Sequence, residues 1–400
     1  MKNWTVLIYA NGNNEMQPEM WQAKQAVQRI GSNQDVNVVV QISQIEDQLV
    51  RIIRPFYNSP DRSANWVGAR RIYLIHGVSI LLQDLGKINM ADPAWLYDFI
   101  KWGMANYSAK HYVLILSGHA FQLIGAMPDY SQDTPYIMGI QSMVQSINSS
   151  CKGTNKKIDI LILDVCSFNF IEVMYEFGKN PNHAVQHIIT YFNNGPLQGM
   201  PYDKFIQILH KNSLLTDINH LTRLFFNKME HEVIAIKIDH DKLKLIKKSF
   251  NNLAACYLKF NNDKVKNLSE LIYGAKTTDQ WYEFSACLKQ NLTDIILCDN
   301  KPFYPKFKLL YFANSTKNTQ EYIDLYCRLS FAVNNHWTYL LSREKHFPFF
   351  HKTRKFDLRP EKLTAITILT YIYMMNPPLR EQQLIQIFNN LCEYKNWVLK

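Results

Sequence analysis

Two hydrophobic rhythms run along the chain, and they change places near residue 240. In the first part, short runs that are apolar on consecutive residues alternate with longer segments whose apolar positions recur every three to four residues. The short runs are 4–10 (WTVLIYA), 36–42 (VNVVVQI), 71–75 (RIYLI), 112–117 (YVLILS), 158–164 (IDILILD), 187–192 (HIITYF) and 233–238 (VIAIKI). A strand that is apolar on consecutive positions is buried on both faces, so helices must cover the sheet from both sides. The helical pattern falls between the strands, at 15–30, 93–107, 139–149, 167–177, 202–212 and 215–228. Strand and helix in alternation predict an α/β fold, a mostly parallel sheet flanked by helices.

Past 240 the longer rhythm dominates, at 241–260, 280–291, 317–333, 361–375 and 379–397, with one strand-like piece at 337–342 (WTYLLS). The expected organisation is a sheet domain over 1–240 and a mainly helical C-terminal region over 241–400. No repeat and no Gly/Ser-rich linker divides them, so the two are expected to pack together.

Composition narrows the classes. A chain of 400 residues that is 47% hydrophobic can bury a large core, which excludes a disordered protein. No run is apolar over the ~18 residues of a membrane helix, and the opening MKNWTVLIYANGN turns polar too soon for a secretory signal. The expectation is no membrane insertion and a cytoplasmic address by default, with a specialised export route left open.

Seven cysteines at 151, 166, 256, 287, 298, 327 and 392 form no Cys-x-x-Cys pair and no zinc-ligand quartet. They read as reduced thiols, with no metal site among them. The net charge of +10 draws on stretches such as DKLKLIKKSF (241–250) and REKHFPFFHKTRK (343–355). The first is a solvated helix face over Leu243, Leu245 and Ile246. The second mixes aromatic and basic residues and keeps nucleic-acid binding as a third, minor reading. No Gly-x-Ser-x-Gly elbow, P-loop or dinucleotide fingerprint occurs.

Two strand ends carry reactive side chains. YVLILSGHAF delivers His119 just past its strand, and IDILILDVCSF delivers Cys166 in the same manner from the next. If a helix starts at about 168, Cys166 lies at its amino terminus, where free N–H groups and the helix dipole favour a thiolate. A histidine on a neighbouring strand end can then serve as base for the thiol or acid for a leaving amine. The competing reading is an inert core cysteine beside a hydrogen-bonded histidine. Asp164 is open in the same way: a pocket carboxylate for a cationic substrate group, or a structural cap.

Longer phrases carry a resemblance. NWTVLIYANGNNEM, GSNQDVNVVVQIS, LQDLGKINMADPAWLYDFIKWGMANYSAKHYVLILSGHAF, IDILILDVCSFNFIEVMYEF, GPLQGMPYDKFIQIL and VIAIKIDHDKL follow one another across residues 3–254. In these the chain resembles the clostripain family of cysteine peptidases, relatives of caspases, legumains and gingipains. The resemblance implies a caspase-like fold, a protein or peptide substrate, and cleavage after Arg or Lys. It implies Cys166 as nucleophile, His119 as its partner and Asp164 as a carboxylate of the substrate pocket. No cofactor is implied for the chemistry itself, although some members need Ca2+. Some members cut themselves between the His and Cys strands, and SSCKGTNKK (149–157) offers Lys152, Lys156 and Lys157 in an expected exposed loop. Oligomeric state is left open.

The chain also departs from the family. Ala120 stands where the family has glycine after the histidine, so the expected oxyanion hole is formed by the N–H groups of Cys166 and Ala120, with alanine resisting positive φ. Asn193 and Asn194 stand where the family places acidic residues, which makes Asn194 a substrate-binding candidate without charge. The loop after His119 reads AFQLIGAM. These departures sustain an alternative to the endopeptidase: a catalytically weakened or inactive pseudo-peptidase acting as a protein-binding module.

Overall fold

The computed structural model describes residues 1–56, 66–121, 125–166, 168–192, 194–249, 279–299, 360–363, 365–376 and 379–399. The expected elements at 317–333 and 337–342, the basic aromatic stretch at 345–355 and Asn193 lie outside the described residues.

The main sheet is built from β1 (Lys2–Ala10), β2 (Val36–Gln44), β3 (Gly68–Ile75), β4 (Val78–Gly86), β5 (Ala109–Ser117), β9 (Ile158–Asp164), β10 (Val185–Tyr191), β11 (Val233–Lys237) and β12 (Ile296–Asp299). Their order is β12-β11-β10-β9-β5-β1-β2-β3-β4. The five central strands from β10 to β2 run parallel. On each flank the pairing turns antiparallel. The expected fold class is therefore observed, including the strands that are apolar on successive residues.

Side chains alternate across the sheet with period two and feed two cores. Leu7, Tyr9, Leu114 and Leu116 pack under α3 (Pro93–Asn106), α4 (Ile140–Thr154) and α5 (Ile171–Gly178), through residues such as Phe99, Ile147 and Phe177. Val6, Ile8, Val113 and Ile115 face α1 (Gln17–Ile30), α6 (Tyr202–Lys211) and α7 (Ile218–Phe226), through Val27, Phe205 and Phe225. Local signals set several boundaries. Asp92 accepts from the Ala94 N–H at 2.9 Å ahead of Pro93, which caps α3. Asn155 ends α4 in the left-handed region at φ 52°.

Two expectations near the site are corrected. The helix after Cys166 begins at Ile171 rather than near 168, because Phe168, Asn169 and Phe170 are taken up in an extended approach that buries both phenylalanines. Cys166 therefore does not stand in a helix first turn, and the dipole argument for its thiolate does not apply. Helix α4 runs through Thr154, so Lys152 lies on its last turn and the connector to β9 holds only Lys156 and Lys157 of the three lysines.

A second sheet of four short strands, in the order β13-β8-β7-β6, sits beyond the carboxyl edge. It comprises β6 (Ala120–Phe121), β7 (Gly125–Asp129), β8 (Tyr136–Gly139) and β13 (Glu361–Lys362). Both sheets thus take a strand from beyond residue 240. The helices Ala365–Met375 and Glu381–Lys395 follow β13 and form a third apolar cluster with α2 (Asp47–Ile53), joining Ile368, Ile372, Leu384 and Leu391 to Leu49, Val50 and Ile53. Asn376 Nδ2 donates to the Ile53 carbonyl at 2.7 Å, and Trp397 Nε1 to that of Gln132 at 3.2 Å.

Candidate active site

Between β1 and β5 the topology switches direction: the chain leaves β1 for β2 on one side and returns to β5 on the other. Ligands in open α/β sheets gather at the carboxyl edge near such a point. Three strand ends meet there, those of β1, β5 and β9.

Ser117 and Asp164 are register partners on parallel neighbours. His119 and Cys166 each follow two residues later, just past neighbouring strands of about 4.8 Å spacing. The Gly118 N–H, donating to the Asp164 carbonyl at 3.3 Å, carries this alignment past the strand ends. Sequence reasoning had placed both residues just past strand ends, and there they lie.

The turn after β1 supplies a residue that the sequence reading missed. Asn11 and Asn14 each donate from Nδ2 to the Pro128 carbonyl at 2.8 Å, and Asn13 Nδ2 to Asp129 Oδ2 at 2.6 Å. Asparagine amides bonded to backbone are what a tight, irregular turn requires. They pin the turn to β7 and hold Glu15 beneath the histidine, with Glu15 Oε1 3.0 Å from His119 Nε2. Both side chains are buried, and neither the carboxylate oxygens nor Nε2 has a hydrogen-bond partner among the described residues, so the two groups form a close polar pair without hydrogen-bond geometry.

Ala120 opens β6, opposite Ala126. The Met127 N–H donates to the His119 carbonyl at 2.9 Å, which makes 119 and 127 a hydrogen-bonded pair and 120 and 126 the following non-bonded pair. Antiparallel alternation therefore turns the Ala120 N–H away from β7. Ala120 achieves this without positive φ, whereas Met127, across from His119 at a bulge, takes φ 60°. An unbranched non-glycine residue bears a modest strain of ~1–2 kcal/mol there, and such strain gathers at functional sites.

Asp164 is 6% exposed. Its Oδ2 accepts from the Tyr202 hydroxyl, from Ser117 Oγ at 3.2 Å and from the Met200 N–H at 3.3 Å. Burial pushes its carboxyl above the usual range, against the opposing pull of these hydrogen bonds. The loop that encloses it depends on two glycines. A Cβ on Gly199, whose φ is +72°, would stand 2.5 Å from Asp164 Oδ2, and one on Gly195 would stand 2.2 Å from the Tyr191 ring. Stripped of a side chain, Gly195 brings its N–H to the Cys166 sulfur. Asn194 lies exposed beside it. A cleft of about 530 Å³ opens on the far side of this wall, lined by Tyr191, Gly199, Tyr202, Lys204, Lys228 and Glu230.

Burial also pushes the Cys166 thiol up, with the Gly195 N–H pulling the other way and the Asp164 charge adding to the rise. The C-terminal region reaches the histidine, a contact the sequence did not announce. The ring of Tyr371 lies 4.9 Å from that of His119 and 5.9 Å from that of Phe121. Among the described residues, no group of three or more His, Cys, Asp or Glu side chains could hold a metal ion.

The nine-stranded, mostly parallel sheet flanked by helices is a caspase-like architecture. The chain belongs to the clostripain family, whose sequence profile matches residues 18–338. It is accordingly a clostripain-like cysteine peptidase, with peptides or proteins as its substrate class. Similar solved structures include an inactive zymogen C11 protease from Parabacteroides distasonis, at 14% identity and TM-score 0.51, covering 84% of this chain and 98% of that one. A secreted C11 cysteine protease from Bacteroides thetaiotaomicron, solved with an irreversible peptide inhibitor, aligns at 13% identity and TM-score 0.48 over 74% of this chain and 84% of that one. No curated protein sequence matches the chain. No helix among the described residues is long and apolar enough to cross a membrane.

Proposed function

We propose that the chain is an endopeptidase that works through a Cys166–His119 dyad and cleaves after arginine or lysine. The observation that carries this reading is the common register of the two strand ends, which sets thiol and imidazole two residues beyond one paired position. In the proposed cycle, Cys166 passes its proton to His119 and the sulfur attacks the scissile carbonyl carbon. The oxyanion that forms accepts hydrogen bonds from the N–H groups of Ala120 and Cys166. His119 returns the proton to the leaving amine as the C–N bond breaks. Water then adds to the thioester, and its hydrolysis restores the thiol. Asp164 supports a basic P1 side chain as a buried carboxylate two residues before the nucleophile. A guanidinium or ammonium would take over the place on Oδ2 that the Tyr202 hydroxyl holds here. Asn194 would line the rim as a neutral contact.

The test is hydrolysis of fluorogenic peptides ending in Arg, Lys, Asp or Asn, with calcium and with chelator, by wild type and Cys166→Ala. Cleavage after Arg or Lys that disappears in the variant is the expected result. Cleavage only after other residues would refute the role given to Asp164. The raised Cys166 thiol favours the second reading, a pseudo-peptidase that binds without cutting. Absence of turnover on every peptide by the folded, uncovered site would establish it.

A further inference from the structure

The imidazole of the dyad is covered by the protein's own C-terminal region. Tyr371 projects from the helix Ala365–Met375, is 1% exposed, and packs its ring against His119 and Phe121. Its hydroxyl lies within electrostatic reach of both Glu15 and Cys166. That hydroxyl is buried and has no hydrogen-bond partner. Packing alone would be better served by phenylalanine at such a position, since a buried unpartnered hydroxyl is unfavourable. The helix is tied down elsewhere, by Ile368 and Ile372 in the apolar cluster over α2 and by Asn376 on the Ile53 carbonyl. These anchors hold the helix in place and leave Tyr371 as its reach into the cleft.

We propose that Tyr371 is an intramolecular occupant of the catalytic cleft, holding the peptidase closed until the side chain is displaced. The proposal rests on the dyad reading above. A peptide carbonyl must reach the Cys166 sulfur with His119 at its side, and an aromatic ring packed on that imidazole restricts its approach. The contact is local, one ring on one imidazole, so its release does not require the sheet to rearrange.

The experiment measures the rate at which iodoacetamide labels Cys166 in the full chain at pH 7, read by peptide mass spectrometry. Cys151, buried in α4 with its thiol pushed up to about 12, serves as an internal control for global opening. Tyr371→Ala is expected to label at Cys166 at least tenfold faster than wild type, with Cys151 still protected. Tyr371→Phe keeps the ring and should label at the slow wild-type rate. If Tyr371→Ala fails to fold, Trp397→Ala loosens the same helical pair from a distance and should accelerate labelling in the same direction. Unchanged labelling at Cys166 in a folded Tyr371→Ala or Trp397→Ala protein would overturn the proposal. Peptide cleavage separates it from the reading it rests on. Fast labelling without cleavage leaves the occupant standing and removes the peptidase. Wild-type cleavage as fast as that of Tyr371→Ala removes the occupant and keeps the peptidase.

Discussion

Ser117 and Asp164 pair across two parallel strands, and this one register match aligns everything that follows them. His119 and Cys166 take their places past the strand ends from it. Replacing His119 by Ala should therefore leave the sheet intact. It should lower kcat/KM by about 10²- to 10⁴-fold, the usual yield of a general acid–base group, as measured on a peptidyl-arginine substrate.

Glu15 touches the histidine and not the substrate, so it is a positioning residue. Glu15→Gln keeps an acceptor facing Nε2, while Glu15→Leu does not. The leucine variant should lose about 10²-fold in kcat with little change in KM, and the glutamine variant should recover most of that loss. Nitrogen-15 NMR gives a readout that a merely structural role would not move. His119 should carry its proton on Nε2 in wild type and Glu15→Gln, and show mixed tautomers in Glu15→Leu.

The Cys166 thiol is raised by burial, and the thiolate is the form that alkylates. Labelling of the intact protein should therefore climb with pH through a midpoint above that of free cysteine, and unfolding in denaturant should bring the midpoint down. A midpoint below the free value would mean that an unseen cation or a rearranged loop stabilises the thiolate.

Asp164 is likewise raised by burial, and the sign follows from linkage. Its folded carboxyl binds a proton more tightly than its unfolded one. The stability it lends is whole below the unfolded value and is lost as pH rises through the folded value. Asp164→Asn should thus raise the melting temperature more at pH 8 than at pH 4. Tyr202→Phe should do the reverse: without its donor the charged carboxylate loses about 1.5–3 kcal/mol at pH 8, and less at pH 4. Thermal melts at the two pH values check both.

Much of this site was legible because the signal is local. The runs ending in His119 and Cys166 are apolar on consecutive residues, which identified buried strands, and the residues just past them followed from the strand ends. Asp164 was visible for the same reason. Glu15 and Tyr371 were not, since each meets His119 only through the tertiary fold, across about a hundred residues of sequence in one case and more than twice that in the other. The small sheet escaped because two- to five-residue strands carry no period to detect. β4 escaped because an outer edge strand, with Val78, Ile80 and Leu81 exposed, lacks a buried face to impose alternation. The helix expected at 168 failed at its boundary, where two buried phenylalanines outweighed helical periodicity.

Ile296–Asp299 pairs with Val233–Lys237 and finishes one side of the main sheet. A chain cut near residue 240, where the hydrophobic rhythm changes, would leave Val233–Lys237 as a bare edge with its outward backbone groups unpaired. Such an edge is a template for joining other chains, so the shortened protein should self-associate and precipitate even with its catalytic strands complete. The change of rhythm marks a change of packing style and is a poor place for scissors.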